Sequence, residues 1–166
     1  MKPLIGVSSC LLGNLVRYDG RLKYEPRLKE VFGDKVDWLP ICPEVELGLS
    51  TPREKIILLH DVENPSLQTL ETQQDLTQQM QNWIDVKIRS LKKEPLKGFI
   101  FKAKSPSCGI QNVEFFSSRE AAPQRIGTGL FAKAFIEAFP HLPYLQESDL
   151  DDPALVKSFV ERVLHG

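Results

Sequence analysis

Three short apolar runs constrain this chain most, because each of them stops at a turn that carries a cysteine. Residues 4–9 read Leu-Ile-Gly-Val-Ser-Ser and meet Cys10. Residues 36–41 read Val-Asp-Trp-Leu-Pro-Ile and meet Cys42-Pro43. Residues 98–103 read Gly-Phe-Ile-Phe-Lys-Ala and lead into Lys104-Ser105-Pro106-Ser107-Cys108-Gly109. A short apolar run bounded by turn formers is the pattern of a buried strand.

Helical patterns separate these runs. Residues 25–32 place apolar side chains at helical spacing, with Pro26 where a first turn tolerates it and Gly33 at the exit. Residues 72–93 contain no glycine or proline, and Leu76, Met80, Trp83, Ile84, Val86 and Leu91 trace one apolar stripe. Further strands are expected at Ile56–Leu59, 113–116 and 142–145, a turn at 63–66, and helices at 129–139 and 153–164. Strands alternating with helices predict an α/β fold: a single domain over residues 1–166, with a Rossmann-like, mainly parallel sheet flanked by helices. Ligands of such sheets bind beyond the carboxyl ends of the strands, so three cysteines at three strand ends would meet at one edge.

Composition narrows the function. With 166 residues, 42% of them hydrophobic, the chain can bury one sizeable core. Lys+Arg 21 against Asp+Glu 22 gives a formal net charge of −1, so no global positive field favours nucleic acid. The apolar start is too short for a secretory core or a membrane span, which predicts a cytoplasmic protein without a membrane partner. Three cysteines cannot all pair within the chain, and a reducing compartment disfavours lasting disulfides. Metal binding, catalysis and plain burial remain. A buried cysteine is usually a small hydrophobe. Here, though, all three stand in turns, where amides and the hydroxyls of Ser8, Ser9, Ser105 and Ser107 could hydrogen-bond thiolate or sulfide.

The motifs Ser9-Cys10-Leu11-Leu12-Gly13, Val16-Arg17-Tyr18-Asp19-Gly20, Cys42-Pro43-Glu44, Thr51-Pro52-Arg53-Glu54, Ser105-Pro106-Ser107-Cys108-Gly109 and Gly127-Thr128-Gly129 resemble, in this order, a bacterial family whose characterised branch is thiouracil desulfurase. The resemblance covers nearly the whole chain. It implies a [4Fe-4S] cluster as cofactor, bound by Cys10, Cys42 and Cys108, with the fourth iron lacking a protein ligand. An open metal position is what a thiocarbonyl sulfur needs in order to bind. The implied reaction is hydrolytic desulfuration of a small thiolated, thiouracil-like heterocycle.

The resemblance also carries Glu44 and Ser105 into the active site. Glu44 would orient or deprotonate the attacking water, and Ser105 would hydrogen-bond the substrate or pass a proton to the leaving ring nitrogen or sulfur. Their plainer readings are a helix-cap or surface carboxylate and a turn serine before Pro106. Arg17, Asp19 and Arg53 could bind substrate, but Arg–Asp pairing that pins loops is the preferred expectation. Glu46-Leu47-Gly48 and Lys104 depart from the family pattern and bear on substrate identity. His60, His141 and His165 fall outside the matching motifs and are read as non-ligands. The rivals are structural zinc on three thiolates plus a carboxylate or histidine, a cluster-borne sulfur transferase acting on nucleotide or tRNA, and simple thiol catalysis. No sequence feature indicates an oligomeric state.

Overall fold

The structure is a computed structural model that describes residues 1–13 and 25–166. The motif containing Arg17 and Asp19 lies outside the described residues. In chain order come β1 (Leu4–Ser8), a 3-10 turn (Ser9–Leu12), α1 (Pro26–Phe32), β2 (Asp37–Ile41), α2 (Pro43–Glu46), β3 (Ile56–Leu59) and β4 (Ser66–Thr69). They are followed by α3 (Thr77–Leu91), β5 (Leu96–Phe101), β6 (Val113–Phe116), β7 (Gln124–Gly127), α4 (Leu130–Ala138), β8 (Tyr144–Gln146), a second 3-10 turn (Glu147–Asp151) and α5 (Pro153–His165).

The expected parallel sheet is present, with strand order β2-β1-β5-β8 and every pairing parallel. Successive residues of β5 face opposite sides: Ile100 joins Ile5, Val7, Leu28, Phe32, Phe159 and Val163 under α1 and α5, whereas Phe99 and Phe101 pack against α3 and α4. Burial on both faces explains why the central strands β1 and β5 read as apolar runs without alternation. On the α3/α4 side, Phe99 and Phe101 stack at 4.2 Å between ring centroids, and Phe135 lies 4.8 Å from Phe99.

One expectation changes. Residues 113–116 do not extend this sheet. They form β6 of a second four-stranded sheet, β4-β3-β6-β7, in which β3 and β6 are parallel and the outer pairs antiparallel. Ile56, Leu58, Leu67, Val113 and Phe115 from this sheet enter the same core cluster as Phe99 and Phe101. The helix expected from residue 72 begins at Thr77. Before it, the Glu54 carboxylate accepts the Glu71 and Thr72 amides and the Thr72 hydroxyl at 2.7–2.9 Å, holding that segment in a turn. No described helix is long and apolar enough to cross a membrane.

Gly6 is where β1 lies under a core ring: a Cβ there would sit 2.3 Å from the Phe99 side chain, which is fully buried. Gly6→Val is expected to destabilise the fold by about 1–3 kcal/mol through overpacking, read as a lower denaturant midpoint.

Candidate active site

Because β1, β2 and β5 are adjacent and parallel, their carboxyl ends open on one edge. Register places Ser8 opposite Ile41, so the turn after β1 and the turn after β2 start side by side. Cys10 is buried in the first of these turns, Cys42 caps the N-terminus of α2, and Cys108 lies in the loop after β5 at 4% exposure. Cys10 belongs to the core cluster on one face of the sheet and Cys108 to that on the other, so the site straddles the sheet's end.

The three thiols feel one another. Burial first, opposed by a hydrogen bond from the Ser8 hydroxyl and reinforced by charge on Cys42, Cys10 and Glu44, pushes the Cys108 thiol far up. Ser8 also accepts the Lys102 amide at 2.8 Å, which ties the end of β1 to the end of β5. Burial likewise raises Cys42, while the amides of Val45 and Glu44 favour its thiolate. Burial thus favours the neutral thiols; deprotonated together they would repel one another, and a bound metal would reverse that preference. Among the described residues, no three His, Cys, Asp or Glu side chains stand where they would enclose a single ion. A four-iron cluster, in which each thiolate takes a separate iron, needs donors spread around a larger body. Three soft thiols on three neighbouring strand ends fit that need.

Glu44 stands in the first turn of α2 and is no surface carboxylate. Its Oε1 accepts Arg53 Nη2 at 2.9 Å and Nε at 3.2 Å, and its Oε2 accepts the Ser107 hydroxyl at 3.1 Å. The Glu44 and Arg53 side chains are only 12% and 7% exposed. Arg53 also donates through Nη1 to the Ser50 carbonyl at 2.9 Å and to Thr51 Oγ1 at 3.1 Å. Arg53 is therefore tied to the site carboxylate as well as to its own loop.

Ser105 organises the third cysteine turn. Its Oγ accepts the amides of Ser107 at 3.2 Å and Cys108 at 3.0 Å, and lies 3.0 Å from Ser107 Oγ. The turn rests on the start of α4: the amides of Leu130 and Ala132 donate to the carbonyls of Pro106 and Ser107, both at 3.0 Å. Donors that a helix N-terminus leaves unsatisfied are thereby used to hold the cysteine loop. Gly129 permits this approach, since a Cβ there would lie 2.5 Å from the Ser107 carbonyl carbon.

Two partners were not foreseen in these roles. Ser107, expected only as a donor to thiolate or sulfide, joins Ser105 to Glu44, and it is 2% exposed. Glu147 accepts the Ala103 amide at 2.7 Å and Lys102 Nζ at 2.8 Å, fixing the exit of β5, and no motif in the sequence marks it. His60, His141 and His165 are all exposed.

Fold and site together define an α/β protein whose sheet edge gathers three cysteine thiols beside a largely buried carboxylate–hydroxyl chain. The chain belongs to the 2-thiouracil desulfurase family, whose model matches residues 5–147. A solved structure described as the [4Fe-4S]-dependent thiouracil desulfidase TudS is similar to it, with a TM-score of 0.69 and 29% sequence identity over 95% of this chain and 99% of that one. No curated protein matches the chain.

Proposed function

We propose that this protein hydrolytically desulfurates a small thiolated nucleobase of the thiouracil type, acting as one domain with a [4Fe-4S] cluster held by Cys10, Cys42 and Cys108. The observation that carries the reading is the placement of Glu44: a largely buried carboxylate, oriented from both sides, on the sheet edge that carries the three thiols. When bound, the cluster supplies an iron without a protein ligand, a Lewis acid to which thiocarbonyl sulfur can bind and be made a better leaving group.

The chain's own residues do the remainder. Glu44, held by Arg53 through one oxygen, presents a carboxylate able to orient water and take its proton as the oxygen bonds to the thiocarbonyl carbon. Ser105, whose oxygen accepts two amides and lies 3.0 Å from Ser107 Oγ, keeps its hydroxyl proton as a donor that can turn to the ring nitrogen or the departing sulfur of a bound base. Burial of Glu44 and Arg53 limits competing water and strengthens both contacts.

The test is turnover of 2-thiouracil by anaerobically prepared protein in ¹⁸O-labelled water. Uracil carrying the label, with one hydrosulfide per base, supports the reading, and recovery of unreacted base from iron-loaded protein counts against it. Glu44→Gln is expected to keep its iron and visible absorbance while kcat falls by about 10²–10⁴-fold. Turnover at the parent rate would remove Glu44 from the chemistry.

A further inference from the structure

We infer that Glu46 and Lys87 are positioning residues that form a latch on the turn presenting Cys42, so that the second cluster ligand is tied to α3 as well as to its own strand. The inference rests on the cluster reading above, which assigns neither residue a role. It gives Glu46, a departure from the family pattern, a part in holding the cofactor.

The turn needs such a tie. α2 has four residues, Pro43–Glu46, and a single helical turn has too few backbone bonds to persist unaided. Cys42 is its cap and is bonded to Glu46 twice: the Glu46 amide donates to the Cys42 carbonyl at 2.9 Å, and Glu46 Oε2 accepts the Cys42 amide at 3.1 Å. A carboxylate that reaches back to the cap amide closes the turn as in a capping box. The same turn aims the amides of Val45 and Glu44 at the Cys42 sulfur and carries the Glu44 side chain, so its geometry sets both a ligand and the site carboxylate.

The other Glu46 oxygen leaves the turn. Oε1 accepts Lys87 Nζ at 2.8 Å, across 41 positions of sequence. Lys87 stands on α3, whose Met80, Ile84 and Leu91 are buried in the core, so the anchor is firm. With Lys87 and Glu46 at 23% and 32% exposure, the pair adds little to global stability. Its effect is local. Cys42 is the one thiol of the three that is not buried, so packing holds it least and the latch matters most there.

Amide hydrogen exchange in metal-free protein reads the latch without the cluster. Lys87→Met leaves the Cys42 amide and its acceptor in place, yet exchange at Cys42, Glu46 and Leu47 should quicken about 3–10-fold, with Val7 and Ile100 in the central strands unchanged. Lys87→Arg, which keeps the cation, should return the parent rates. In iron-loaded protein, Glu46→Ala should lose iron to a chelator about tenfold faster than the parent. Parent exchange rates in Lys87→Met, quicker exchange shared by the central strands, or an unchanged rate of iron loss in Glu46→Ala would each overturn the inference. A parent protein that binds no iron would instead count against the cluster reading, and the exchange rates would still decide whether the latch exists.

Discussion

Cys108→Ala protein prepared without oxygen is expected to emerge nearly colourless, with bound iron falling from about four per chain to below about one. Cys10→Ala and Cys42→Ala should behave alike, because a cluster with three protein ligands has none to spare. The folded chain should survive. Cys108 is 4% exposed and Cys10 6%, so each metal-free thiol packs as a small hydrophobe, and exchange for alanine removes little more than one sulfur atom. Far-ultraviolet circular dichroism and iron and acid-labile sulfide analysis on the same sample separate the two effects. Full iron retention in any one variant would remove that cysteine from the ligand set.

Gly129→Ala should have the second large effect, at a residue that carries no functional group. The added Cβ would stand 2.5 Å from the Ser107 carbonyl carbon, 2.6 Å from its oxygen and 2.7 Å from the Cys108 nitrogen. All three are backbone atoms, and the same loop is clamped by the Leu130 and Ala132 amides, so no flexible side chain can yield. The Cys108 turn must move away from α4. A displacement costing about 1–3 kcal/mol is expected, with loss of most bound iron while the secondary structure is retained. Unchanged iron content and an unchanged unfolding midpoint would mean that the turn relaxes freely.

Much of this arrangement is legible in the sequence, for definite reasons. The runs before Cys10 and Cys108 are the two central strands, largely buried on both faces, so they stand out as continuous apolar segments; the run before Cys42 is an edge strand and shows more weakly, and parallel order sends all three ends to a common edge. The second sheet is not legible in that way. The first three residues of β7, Gln124–Ile126, are exposed, and β4 follows a polar stretch that reads as a turn, so neither carries a hydrophobic signature. Glu44 and Ser105 came from resemblance to a family, since local chemistry alone allowed a cap and a turn serine. What joins them could not be read at all: Ser107 is 63 positions from Glu44, and only the folded edge brings its hydroxyl to the carboxylate. The same holds for Arg53, whose observed partner is Glu44, and for Glu147, which locks the exit of β5 from a turn without a motif.

The central claim is that three thiols hold a cluster whose remaining iron is open to thiocarbonyl sulfur. Mössbauer spectroscopy on ⁵⁷Fe-reconstituted protein, recorded with and without 2-thiouracil under argon, tests it most directly. The account predicts irons divided roughly three to one, with the minority signal alone shifting when the base is added. Four equivalent irons whose spectrum is indifferent to 2-thiouracil would contradict it.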